Sequence, residues 1–323
     1  MNDLIVITAH CPSEEQEKML EKCIDSVINL NHHILLISHT HIPIHIQKKC
    51  NYYFYDYSND INHDDDLLYF VRYVIDDNTT IKSKYFTKEF YGFAIYRMFT
   101  ISSQIANNFN YKNIHHIEYD CVLVDNSLIE EHNNLLNEYD SVFYTDNGND
   151  NGFILGAFKS FKINKLPKLF KNYDKDKMRE IMVNTPLIPL EVFTKQIFKE
   201  SGNVIFRNST ELKKTGKFFQ NESPLRLKYF TPYYDQRSDM FLLFYKNMGE
   251  TVDSLRVYVN GEQLLSFSVQ PKYWNIRTLC RFQDLNSILL MVGKKIIYDK
   301  TFNEEQRNKL KENSYIIINE KNN

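Results

Sequence analysis

The sequence of 323 residues has no apolar run approaching the ~20 residues needed to span a bilayer. It also has no CxxC pair, no glycine-rich phosphate loop and no large excess of either charge. Each absence removes a class. Without a long apolar run, and with an opening MNDLIVITAH that carries no basic flank, the chain reads as neither membrane-spanning nor secreted, and cytoplasmic localisation is expected. The five cysteines, Cys11, Cys23, Cys50, Cys121 and Cys280, are odd in number and fall in no ligand spacing. They therefore spell neither a disulfide framework nor a zinc site, and buried free thiols are expected. A formal net charge of -2 argues against a chain built mainly to coat nucleic acid. The P-loop pattern and the GxSxG elbow do not occur, and Gly148, Gly152 and Gly156 do not make GxGxxG. All ten histidines precede residue 133, so the C-terminal half has none to offer a metal.

What is present is globular. Hydrophobic residues at 43% exclude a disordered chain, and the length suits one large domain followed by a small one. A change of composition near Arg237 places the boundary there, giving domains 1–237 and 238–323. Residues 4–8 form a short apolar run of the kind that is buried on both faces of a sheet. Ser13 with Gln16 three residues on is a capping-box pattern, and it opens a helix with apolar residues at helical spacing. Runs at 34–38 and 52–57 complete a β-α-β order. Residues 58–88 read as a polar excursion with a short helix over 67–74. The spacing then predicts a helix over 88–108, with Phe90, Phe93, Ala94, Met98, Ile101, Ile105 and Phe109 on one face.

A strand at 113–117, a helix at 128–136 and strands at 141–145 and 153–158 are expected next, the last two separated by a turn-rich 146–152. Thr185 and Pro186 read as the cap and first residue of a helix running to about 200. Beyond 237, short strand-like runs recur, and Asn260-Gly261 between two of them is a two-residue hairpin signal. A small all-β, sandwich-like domain is expected, with a charged surface helix and a loose end after it.

The chemistry concentrates in His115-His116-Ile117-Glu118-Tyr119-Asp120. An apolar strand ending in two carboxylates one residue apart offers oxygen ligands to Mn²⁺ or Mg²⁺ at a sheet's carboxyl edge. A cation held there can bridge a diphosphate and act as a Lewis acid on a departing nucleotide. His39, His41 and His45 form a dense group, but no further ligand pairs with them by spacing, and a loop coincidence is the reading.

The order of strand, helix, two strands, long helix and then an acidic pair about a hundred residues in resembles the GT-A class of nucleotide-sugar-dependent glycosyltransferases over roughly residues 1–200. The resemblance implies an α/β, Rossmann-related mixed sheet flanked by helices, and transfer of a sugar from a nucleotide-sugar donor to a hydroxyl acceptor, a glycan or a related molecule. Carried over by position, Thr8, Ala9, His10, Tyr55, Asp56 and Tyr119 would contact the nucleotide and Arg97 the diphosphate. Asp120 with Glu118 would hold the metal, Glu118 standing where the family usually has Asp. Inverting members need a carboxylate base, for which Glu191, Asp146 and Asp150 are candidates; a retaining enzyme needs none.

Gly152 and Gly156 would permit close approach of the acceptor, and Tyr273 with Trp274 would offer a sugar-stacking platform. The β domain could hold glycan or mediate homo-oligomer formation. Two other readings stay open: a non-catalytic carbohydrate-binding or assembly protein that keeps the fold, and a sugar nucleotidyltransferase, which would want a glycine-rich basic loop after the first strand. A nucleic-acid acceptor would need a local basic face such as Lys162, Lys165, Lys168 and Lys171, which reads rather as a solvated helix face.

Overall fold

The computed structural model describes residues 3–59, 62–63, 68–76, 79–86, 89–152, 154–163, 189–220, 227–235, 238–247, 252–269, 274–312 and 314–318. The chain divides into two compact units. One comprises Met1–Asn62, Phe90–Ile181 and Ile188–Asn221, the other His63–Glu89, Met182–Leu187 and Glu222–Asn323.

In chain order the elements run β1 (Asp3–Ala9), α1 (Glu14–Val27), β2 (His33–Ser38), α2 (Ile44–Gln47) and β3 (Tyr52–Tyr55). Four strands follow: β4 (Asn62–His63), β5 (Leu68–Asp76), β6 (Thr79–Phe86) and β7 (Glu89–Phe90). Then come α3 (Tyr91–Asn108), β8 (Asn113–Glu118), β9 (Cys121–Leu123), α4 (Ser127–Glu138), β10 (Ser141–Thr145) and β11 (Phe158–Lys162). A helix Pro189–Ser201, β12 (Val204–Asn208), a short helix Ser209–Lys214 and β13 (Phe218–Gln220) complete the first unit.

Seven strands of that unit form one sheet in the order β12-β10-β11-β8-β1-β2-β3, parallel except for β11. The central strand β1 is apolar throughout because both its faces are covered. Ile5, Ile7 and Ala9 pack with Leu20, Cys23, Ile24 and Val27 of α1, while Leu4 and Val6 pack with Met98 and Ala106 of α3 and with Phe198. Ser13 caps α1 as its spacing predicts, its hydroxyl accepting from the Gln16 N–H. All five cysteines are free thiols. Helix α3 begins at Tyr91 and ends before Phe109, which is exposed and stacks on Tyr52 at 5.4 Å instead of lining the buried face. The strand expected at 153–158 begins only at Phe158; Ile154 makes a single bridge to Thr145. Lys162 lies on that strand, not on a helix. Thr185, Pro186, Lys165, Lys168 and Lys171 fall outside the described residues.

The second unit is β-rich. Strands β14 (Leu227–Asp235), β15 (Met240–Asn247), β16 (Val252–Val259), β17 (Glu262–Val269), β18 (Trp274–Arg281), β19 (Ser287–Val292) and β20 (Lys295–Thr301) make two antiparallel sheets, β14-β15-β18 and β17-β16-β19-β20. Their facing residues share one core: Tyr234, Phe241, Leu243 and Leu279 from the first sheet, Leu255, Val257, Ile288 and Leu290 from the second. That is the sandwich packing expected of alternating strands. Asn260 and Gly261 turn β16 into β17 with φ of 54° and 85°, the two positive values that a two-residue hairpin of this hand requires.

Two expectations are corrected in this unit. Where a helix was expected over 67–74, residues 68–74 are not helical: they belong to β5, which forms an antiparallel hairpin with β6. The stretch after the helix Glu304–Glu312 is not loose over residues 314–318, which form β21 (Ser314–Ile318) and pair antiparallel with β6; residues 319–323 fall outside the described residues. Tyr273 and the Trp274 side chain lie outside what the structure describes.

Candidate functional site

Strand order reverses at β1: β2 and β3 lie to one side of it, β8 and the later strands to the other. In open α/β sheets, ligands gather in the crevice outside the carboxyl ends of the strands at such a reversal. The residues at that edge are Thr8 and Ala9 from β1 and His10 after it, His39 after β2, Tyr55 and Asp56 from β3 and after it, and Glu118, Tyr119 and Asp120 from β8 and after it. All but His39 were assigned to the site from sequence; His39 was read with His41 and His45 as a loop coincidence.

The acidic pair leaves β8 between its neighbours. The Glu118 N–H donates to the Ala157 carbonyl and the Tyr119 N–H to the Thr8 carbonyl, so the backbone of the pair is fixed from both sides. Glu118 is half-buried and Asp120 only 8% exposed. Asp120 Oδ2 accepts from Gln220 Nε2 at 2.8 Å, and Oδ1 accepts from the Cys121 thiol at 3.4 Å. Gln16 Nε2 donates to the Tyr119 hydroxyl, whose pKa burial pushes up to about 12. Burial likewise raises the Cys121 thiol, so it is a packed neutral group and not a nucleophile.

On the β3 side the structure joins two residues that sequence reasoning had given separate tasks. Arg97 Nε lies 2.7 Å from Asp56 Oδ2 and Nη2 donates to Asp56 Oδ1 at 3.0 Å, a two-toothed grip. The same Nη2 reaches the Ser58 hydroxyl at 2.6 Å. Asp56 is 5% exposed, so the guanidinium balances a buried charge. His10 and His39 meet edge to face, ring centroids 4.6 Å apart, and His39 Nδ1 lies 3.2 Å from the Asn59 carbonyl. Burial, with the neighbouring His39, lowers the His10 pKa to about 4. Tyr55 is exposed, its ring edge-on to His41.

Behind this edge lies polar chemistry that the sequence reading did not assign. Thr8 is buried, and its hydroxyl lies 2.8 Å from His116 Nε2. His116 faces Lys159 across the β8–β11 pairing. Lys159, 3% exposed, donates to the Gly156 carbonyl at 2.6 Å and sits 4.4 Å over the Phe99 ring. On the opposite face of β8 the Ser160 hydroxyl lies 2.7 Å from His115 Nδ1 and 2.6 Å from His132 Nδ1, while His132 Nε2 is 2.9 Å from the Tyr144 hydroxyl. Burial holds His116 and His132 well below the usual histidine range. The only hint in the sequence was His115-His116 inside an otherwise apolar strand.

The candidate bases are less converged. Asp146 follows β10 at the same sheet edge and is exposed. Asp150 is paired with Lys199 and Lys195, which tie the 146–152 loop to the helix Pro189–Ser201. The Glu191 side chain lies outside what the structure describes. A Cβ at Gly152 would lie 2.6 Å from Asp146 Oδ1 and 2.2 Å from Asn147 Oδ1, so a larger residue there would displace the ends of those two side chains.

No family model matches the chain, and no curated protein matches it. Several solved structures align with parts of it. A glycosyltransferase of Streptococcus pneumoniae aligns at TM-score 0.40 and 10% identity, over 70% of this chain and 56% of that one. A glycosyltransferase involved in glycosylating the major capsid of PBCV-1 aligns at 0.36 and 8%, over 64% and 82%. A 4-diphosphocytidyl-2C-methyl-D-erythritol synthase of Anaerococcus prevotii aligns at 0.36 and 11%, over 65% and 88%. At these values no residue's role transfers from them.

Proposed function

We propose that the first unit binds a nucleotide-diphosphate sugar together with a divalent cation at the carboxyl edge of β1 and β8, and transfers the sugar to an acceptor hydroxyl. The observation that carries this reading is the acidic pair Glu118 and Asp120, set beside Thr8–His10 where the strand order reverses. Among the described residues no group of three His, Cys, Asp or Glu side chains gathers as a cation site. Two carboxylates suit Mn²⁺ or Mg²⁺ in the mode where substrate phosphates and waters complete the shell. Each carboxylate oxygen carries two lone pairs, so Asp120 can keep its hydrogen bonds and still ligate. When bound, the cation offsets charge on the departing diphosphate.

The chain's own residues would do the rest. Asp120 and Glu118 hold the cation. His10, Tyr55 and Tyr119 line the nucleotide side, and the backbone of Ala9 approaches it. Thr8, committed to His116, supports the floor. Arg97 is engaged by Asp56 and presents its remaining donors as the diphosphate contact. Asp146, exposed just after β10 at the same sheet edge, would accept the acceptor's proton. Nucleotidyl transfer is disfavoured by sign: the turn after β1 enters a helix whose first turn carries Glu14, Glu15 and Glu17, where a triphosphate would want cations.

The test is a thermal-shift panel of UDP, GDP, CDP and TDP, with and without Mn²⁺, on wild type and Asp120→Ala. One nucleotide should raise the midpoint only with Mn²⁺, and not in the variant. Shifts with none of the four would sink the reading and favour a non-catalytic protein that keeps the fold.

A further inference from the structure

The proposed cation site has a buried carboxylate whose orientation depends on a residue a hundred positions away. Strand β13 pairs antiparallel with β9, setting Gln220 opposite Cys121, the residue after Asp120. From there the Gln220 amide reaches back and donates to Asp120 Oδ2 at 2.8 Å. Asp120 is 8% exposed, so the direction of its oxygens is set by protein donors more than by water. A neutral amide fixes the carboxylate without neutralising it. A lysine or arginine at this distance would compete with a cation for the same charge, whereas an amide leaves the negative charge for the ligand.

We propose that Gln220 is the positioning residue for Asp120: its side-chain N–H holds the carboxylate in the orientation that receives a divalent cation. The inference rests on the cation reading given above. It also gives β13 a task, since this three-residue strand pairs with β9 and stands outside the seven-stranded sheet. Partners of this kind, which touch a ligand and not the metal, change metal affinity about 10–100-fold when removed.

The experiment is Mn²⁺ titration of the full chain without nucleotide, read from the electron paramagnetic resonance signal of free Mn²⁺. It compares wild type, Gln220→Ala, Gln220→Met and Asp120→Ala, with the melting midpoint of each recorded without metal. Gln220→Met fills the same volume without a donor, so it keeps the comparison intact if Gln220→Ala does not fold. Both Gln220 variants should bind Mn²⁺ about 10–100-fold more weakly than wild type, while Gln220→Met melts near wild type. Mn²⁺ affinity within twofold of wild type in Gln220→Met overturns the role of Gln220 and leaves the cation site standing. If wild type binds Mn²⁺ no better than Asp120→Ala, the cation site itself falls, and the positioning role with it.

Discussion

At 5% exposure the Asp56 carboxylate depends on the guanidinium beside it. Truncating Arg97 to Ala would leave that charge with the Ser58 hydroxyl and a backbone that cannot move away. Because the Arg97 side chain is itself 37% exposed, water screens part of the loss. The expected cost is about 1–3 kcal/mol in urea unfolding, with Arg97→Lys recovering only part of it for want of a second tooth. A change under about 0.5 kcal/mol would mean that the pair is not structural.

The buried histidines act in the opposite sense, through protons they refuse. His10, His116 and His132 have folded pKa values below the unfolded value, burial being the first cause in each. Above about pH 6.5 neither state binds these protons, and the groups are indifferent to pH. As pH falls below that, the unfolded chain takes them up and the folded one does not, so stability falls. The slope approaches about 1.4 kcal/mol per pH unit for each such histidine. The loss from His10 levels off near its folded pKa of about 4. Urea midpoints measured at pH 7.5, 6.5 and 5.5 should be nearly level over the first interval and drop over the second; a level profile throughout contradicts this.

Among the elements, β6 has its two sides covered by strands from very different places, β5 next in sequence and β21 at the chain's end. Ending the chain at Glu312 would bare one side of β6 and leave a row of unpaired N–H and C=O groups, which is a template for association. Light scattering on heating should begin at a lower temperature than in wild type, and an unchanged onset would show β21 to be dispensable.

These strands also mark where sequence was hard to read. Leu68–Asp76 carries charge and aromatic residues without a clean alternation, and β21, the second partner of β6, is far along the chain, so no local pattern announced the three-stranded sheet. Asn260-Gly261 was legible because the turn's demand for positive φ is local and chemical. The strands β1 and β2 were legible as well, since burial on both faces leaves apolar runs, and β8 was legible from the isoleucines on either side of His115-His116. So was the acidic pair, through its position after them. The Asp56–Arg97 grip, Gln220 on Asp120 and Lys159 beside His116 were not, because each is a meeting across the sheet or between separate elements that no spacing encodes.

In the whole molecule, the second unit is built from three separate stretches of chain, His63–Glu89, Met182–Leu187 and Glu222–Asn323, with later parts of the first unit between them in sequence. The outgoing and returning strands, β4 and β7, pair with each other, so the excursion begins and ends at one place. The chain passes between the units five times, so a single cut does not separate them. The arrangement also has a consequence in time. The hairpin β5–β6 leaves the ribosome about 230 residues ahead of β21, which at about 5–20 residues per second is a wait on the order of 10–50 s. During that interval one flank of β6 lacks the strand that will cover it. Decoding speed along the stretch between them sets how long that flank stays bare, so synonymous codon choice there bears on yield without altering a single residue.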